Sequence, residues 1–338
     1  MLVIATSASG TLEKDDAVPI EKYSATRDHK IKFFNPADEM RKVAAEERIE
    51  IDWDYILNAP EDTLTLLRRI ALSEKMKEDF RECDKRGDAA IIRTHVQFPW
   101  KKIQKLAWRS EAIEKLRADM FITFVDEGQR ILDCLNTRKQ WRQMNFTLEN
   151  VLDWINSEVS ITRDWADHQG KPFYVVPAGA PPEFLYSILF EVRSALCREM
   201  AYVSMPLTHG FDAETQAKVD VFIEKLHPYF LIFDPRYIKP LDSSKGEIFD
   251  IGRSSNIVNR DINWFLRQCK RLIAYWPSNI SSPGMDREIT MARLTTKEVW
   301  VIWEGKKSVS PFTLEDVQKI FFSVDECLDY VEKNFKRI

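Results

Sequence analysis

Leu272-Ile-Ala-Tyr-Trp276 is followed by Pro277-Ser-Asn-Ile-Ser-Ser-Pro-Gly284, then by Met285-Asp-Arg-Glu-Ile-Thr-Met-Ala-Arg-Leu294, and then by Val299-Trp-Val-Ile-Trp303. The two apolar runs have the length of buried strands, and the segment between them has helical spacing after a Pro/Ser/Gly loop. Strand, loop, helix and strand in that order are the repeating part of a mostly parallel sheet covered by helices. Working outward, the same alternation continues. Lys319–Ser323 reads as a strand and Val324–Phe335 as a helix. Upstream lie a strand at Ala201–Met205 and a helix at Ala213–Leu226, with Val219, Phe222, Ile223 and Leu226 on one face. A strand at Tyr229–Phe233 and a helix at Asp261–Cys269 follow, separated by the polar segment Asp242–Asn259. Four or five strands with intervening helices predict a small doubly wound domain over residues 196–338.

Residues 1–195 alternate in the same way. Apolar runs at Leu2–Ala5, Ala89–Ile92, Met120–Val125 and Phe173–Val176 predict strands. Charged segments of helical spacing, Glu61–Lys85, Ile103–Arg117 and Leu148–Trp165, lie between them. Thr147 is placed to cap the last of these. The densest Pro/Gly cluster, Pro177–Pro182, leads into a helix at Glu183–Phe190, and a second domain begins near residue 196. The expected fold class is therefore α/β, with two doubly wound domains.

Composition excludes several functions. Of 338 residues, 44% are hydrophobic and 30% charged, which is ordinary for a globular chain and unlike a disordered tail or disulfide scaffold. The net charge of −4 lacks the basic footprint of a dedicated nucleic-acid binder. From residue 196 onward 20 basic and 20 acidic residues balance, so the negative charge falls on the first domain. Of the ten Trp residues several, Trp141, Trp154 and Trp165, lie in segments of helical spacing, where core packing is their more frequent role. No run approaches the roughly 20 apolar residues of a membrane span. The N-terminus lacks a basic region and an extended apolar stretch, so neither a signal peptide nor a membrane partner is expected. Five scattered cysteines without a Cys-x-x-Cys pair fit a reducing cytoplasm, and neither a metal site nor a cofactor is expected.

In open α/β sheets ligands bind beyond the carboxyl ends of the strands. Three such places carry unusual residues: Tyr202–Pro206 with Thr208 and His209, the segment around Asp261, and Ser281–Glu288. In the third, Gly284 permits close backbone approach, and free amides at a helix start favour an anion. Glu288 lies one turn in, where a carboxylate could serve as a nucleophile. The same features also describe a capped, solvent-exposed helix start.

On these residues, positions from about 200 to 338 resemble the nucleoside 2-deoxyribosyltransferases and the related 2-deoxynucleoside 5-phosphate N-hydrolases. The family's first strand contains a Tyr, matched by Tyr202 in Ala-Tyr-Val-Ser-Met-Pro. Its Asp on a helix before the third strand is matched by Asp261. Its Gly followed by a Glu on the next helix is matched by Gly284 and Glu288. The resemblance implies that Glu288 attacks the anomeric carbon, that Asp261 protonates or positions the departing base, and that Tyr202 orients Glu288. Ser282, six residues before Glu288, stands where the nucleotide hydrolases carry a Ser that binds the 5-phosphate, which implies a nucleotide substrate. Ser204, Met205 and His209 would border the substrate. The chain departs from the family at Met205-Pro206, where Gly-Pro is commoner, and at Met285-Asp-Arg287. A homo-oligomer through this domain is also implied, since family members build their sites near subunit contacts.

The first domain is more distantly similar to P-loop nucleotide kinases, on the strand Ala89–Thr94 with His95, the strand Met120–Asp126 and the cluster Arg138 and Arg142. A P-loop needs Gly-Lys-Ser/Thr to hold phosphates and magnesium. This chain has Ser7-Ala-Ser-Gly-Thr-Leu-Glu13 instead, so a degenerate domain kept for docking or nucleotide sensing is expected. His95 is read either as a contact to a ligand or as a packing histidine.

Two functional classes follow. One is an enzyme that cleaves the N-glycosidic bond of a nucleotide or nucleoside, by hydrolysis or base exchange. The other is a non-catalytic nucleotide sensor that signals to a regulatory protein partner. A regulated nucleotide-depleting effector, for example in phage defence, would combine them.

Overall fold

The structure, a computed structural model, describes residues 1–13, 15–72, 76–194, 198–206, 212–238, 258–277, 282–305, 311 and 315–337. The chain divides into two compact units, Met1–Tyr186 and Ser187–Ile338. Both are α/β with mostly parallel sheets.

The first unit contains strands β1 (Leu2–Thr6), β2 (Ile31–Phe34), β3 (Ala89–Thr94), β4 (Gln97–Trp100), β5 (Ile103–Leu106), β6 (Met120–Val125) and β7 (Phe173–Pro177). Its helices are α1 (Ala17–Ala25), α2 (Pro36–Glu46), α3 (Glu61–Ile70), α4 (Lys77–Arg86), α5 (Ser110–Leu116), α6 (Gly128–Thr137), α7 (Lys139–Arg142) and α8 (Leu148–His168). Helix α9 (Pro182–Phe190) runs across the division between the units. Five strands form a parallel sheet in the order β2-β3-β1-β6-β7. Helices cover both faces, which is why β6 is buried along its whole length and reads as one apolar run. Helix α8 starts as its sequence requires. The Thr147 hydroxyl accepts from the Asn150 amide at 3.3 Å, and the Asn150 side chain accepts from the Thr147 amide at 3.1 Å.

Two sequence expectations need correction here. Ile103–Arg117 is not one helical segment. Ile103–Leu106 pairs antiparallel with Gln97–Trp100, and helix begins only at Ser110. The hairpin turns through Lys101 and Lys102, both at positive φ, a turn chemistry that two lysines do not advertise. Glu61–Lys85 is likewise divided, into α3 and α4.

The second unit contains β8 (Glu199–Ser204), α10 (Ala213–Leu226), β9 (Phe230–Phe233), a π-helix (Asn259–Leu266), β10 (Arg271–Trp276), α11 (Pro283–Leu294), β11 (Glu298–Trp303), β12 (Lys319–Phe321) and α12 (Val324–Asn334). All five strands are parallel, in the order β12-β11-β10-β8-β9. Val203, Phe222, Ile232, Ile273, Tyr275 and Trp300 form the centre of its core. The chain leaves β8 towards one edge and returns through β10 towards the other. The crevice beyond their carboxyl ends is therefore the place where strand order reverses. Among the described residues no helix is long and apolar enough to cross a membrane.

Candidate active site

Tyr202 and Ser204 alternate with Val203 near the end of β8, so both project to the side opposite that core residue. Both reach the same carboxylate. The Tyr202 hydroxyl donates to Glu288 Oε1 at 3.1 Å, and the Ser204 hydroxyl donates to Glu288 Oε2. Glu288 stands on the second turn of α11, which packs against β10 and β11. Residues 84 and 86 positions apart thus meet at the reversal point of the sheet.

Tyr202 is only 1% exposed, and Glu288 is half-buried. The surrounding protein pushes the Glu288 carboxyl up to about 8, with the negative charge of Asp261 adding to the effect. The bonds from Ser204 and Tyr202 and the charge of Arg260 oppose it without cancelling it. Burial, and then the charges of Asp261 and Glu288, hold the Tyr202 phenol well above its ordinary range, so it stays protonated and donates.

Asp261 is buried in the π-helix beside its neighbour Arg260. The guanidinium grips the carboxylate with two bonds, Nε to Oδ1 at 2.7 Å and Nη2 to Oδ2 at 3.1 Å. The π-helix packs against both β8 and α11, which brings this pair into electrostatic range of Tyr202 and Glu288. Sequence reasoning missed Arg260. The available signal was a charged Arg-Asp dipeptide opening an apolar run that includes Ile262, Trp264, Phe265 and Leu266.

The remaining expected residues are distributed differently. Ser282 caps α11, its hydroxyl accepting from the Met285 amide at 3.5 Å, so this oxygen is already engaged with the helix. Gly284 is exposed, and among the described residues a Cβ there would meet nothing within 4 Å. Met205, expected at the substrate, is instead 5% exposed and packs in the core with Val219 and Phe222. The side chain that follows β8 is thus spent on packing. His209, Thr208 and Ser281 lie outside the described residues.

A separate cavity of about 700 Å³ opens in the first unit beyond β1 and β3, where that sheet's order also reverses. The loop Ser7–Glu13 forms one wall, and its backbone is held by arginines. Arg93 donates to the carbonyls of Leu12 (2.7 Å) and Glu13 (3.1 Å), and Arg138 donates to Ser9 Oγ at 3.0 Å and pairs with Glu13. His95 lines the cavity and donates from Nδ1 to the Ser7 carbonyl. Burial pushes it down to about 4, so it is neutral, and its ring packs on Phe98. The bond to Ser7 and the ring contact with Phe98 are those of a packing histidine.

No protein-family model matches the chain, and no curated protein matches it.

Proposed function

We propose that the protein cleaves the N-glycosidic bond of a nucleotide or nucleoside, with Glu288 as nucleophile. The observation that carries this reading is the Glu288 carboxylate held by two hydroxyls, from Tyr202 and Ser204, in the crevice of the second sheet. A glycosyl centre passes through an oxocarbenium-like state that a fixed carboxylate stabilises and traps. Glu288 would attack the anomeric carbon as the bond to the base nitrogen breaks, and the base departs with that electron pair. Water or a second base would then attack the glycosyl ester and free the carboxylate. Tyr202 and Ser204 would fix the angle of attack, and the Arg260–Asp261 pair would face the departing base.

The strand order supports the reading at the level of fold. Numbered along the chain, the second sheet runs 2-1-3-4-5, the flavodoxin-like order, whose ligand crevice lies between its first and third strands. Tyr202 and Ser204 come from the first of these, and Glu288 from the helix after the third.

The test is to incubate the full chain with (deoxy)nucleosides and their mono- and triphosphates and to follow free base by chromatography. Release of base from at least one of them, abolished in Glu288→Gln, is the expected result. No release from any of them, with wild-type protein that binds a nucleotide tightly, would transfer the function to sensing. The polar cavity of the first unit, walled by Ser7–Glu13 with Arg93, His95 and Arg138, favours that second reading.

A further inference from the structure

Helices α3, α4 and α5 of the first unit leave a second cavity, of about 410 Å³, that shares no lining residue with the crevice beyond β1 and β3. It lies beside the core cluster of Ile4, Ala90 and Phe121, and its floor is apolar, made by Leu72, Phe80, Trp108 and Leu116. Its volume falls within the range of small-molecule pockets. The indole N–H of Trp108 is already satisfied by Thr94, so the ring offers the cavity only its hydrocarbon surface. Leu106, 53% exposed, stands at the lining as well.

The charged residues of the lining are unequal in sign. Among the described residues of the lining, Arg68, Lys77, Arg109 and Lys115 stand with Glu61 and Glu111. Arg68 is the innermost of the cations by burial. Its guanidinium lies 5.9 Å from the centroid of the Trp108 ring, and among the described residues no carboxylate forms an ion pair with it. Burial holds its affinity for a proton below the ordinary range, with the more distant Glu61 acting the other way. A half-buried cation over an aromatic floor, ringed by further cations, is complementary to a ligand with an apolar body and one anionic head.

We propose that this cavity binds a medium-chain fatty carboxylate, its tail against Leu72, Phe80 and Trp108 and its carboxylate on Arg68. The planar guanidinium presents paired donors that match the two oxygens of such a head. The site is independent of the glycosidic reading, since none of its residues belongs to the second unit.

Isothermal titration of the full chain with decanoate, decanol and acetate tests the assignment. Decanoate is expected to bind saturably with one site, decanol about tenfold or more weakly, and acetate without measurable heat. Arg68→Gln is expected to weaken decanoate about tenfold and leave decanol unchanged. Thr65→Trp, at an exposed position on α3 that lines the cavity, is expected to abolish both, with the melting temperature of each variant checked in parallel. Equal binding of decanoate to all three proteins, or no binding to the wild type at millimolar concentration, would overturn the proposal.

Discussion

Replacing Glu288 with Gln isolates the cost of holding a carboxylate in the crevice, whatever the substrate. The folded protein pushes this group up to about 8, against an ordinary value of 4.5. Between those values the folded state retains a proton that the unfolded chain has lost, so each pH unit removes stability from the wild type. Below about 4.5 both states are protonated and the group contributes its full share. Above about 8 both are ionised and the loss is complete. At about 1.4 kcal/mol per unit, the penalty accumulated over this window is on the order of 3–5 kcal/mol. Glu288→Gln keeps the volume and can still bond to Tyr202 and Ser204, but never ionises. Its melting temperature, compared with the wild type by calorimetry at pH 5 and pH 8.5, should rise relative to the wild type by several degrees at the higher pH only. A difference that is the same at both pH values, or a wild type that gains on the variant as pH rises, would refute the reasoning.

Three further outcomes follow from the same cluster. Tyr202→Phe removes a bond that favours the ionised carboxylate, so the alkaline-rising limb of base release should move upward, by about one unit, and activity at pH 7 should fall about tenfold while recovering at high pH. Asp261→Asn removes the negative charge that helps raise Glu288, so the limb should move the other way, to lower pH. The same change strands the buried Arg260 charge, and urea unfolding should register a loss of about 3–5 kcal/mol. Ser282→Ala deletes the cap of α11, at a cost of about 1 kcal/mol or less given the 3.5 Å bond, and should raise KM for nucleotides more than for nucleosides if this hydroxyl also meets a 5-phosphate.

The fold was legible where both faces of a strand are buried. Met120–Val125 and Val299–Trp303 announce themselves as unbroken apolar runs because helices cover each sheet on two sides. The edge strand Ile31–Phe34 did not, since Lys32 interrupts it with a solvent-facing position. The hairpin at Gln97–Leu106 was hidden for a related reason. Its second strand is largely exposed, carries Gln104 and Lys105, and has no Gly or Asn at its turn. Within the site, Tyr202, Ser204 and Glu288 could be singled out because each lies beside a strand end or a helix start. Met205 could not be assigned correctly, because one residue's shift along a strand exchanges the crevice for the core.

Arg260 marks the deeper limit of such reading. In a regular helix successive side chains diverge by about 100°, and a residue next to Asp261 would be expected on another face. The π-helix widens that turn, and Arg260 and Asp261 are both buried and joined twice over. Turns of this kind are rare and recur at functional sites. Here the consequence is electrostatic. Arg260 neutralises Asp261 locally yet leaves enough of its field to raise Glu288 rather than lower it. Burial first, and then this residual field, leave Glu288 poised near neutrality while Asp261 stays paired with Arg260. Under the glycosidic proposal only the ionised form of Glu288 would attack, so the competent fraction would rise with pH through the neutral range.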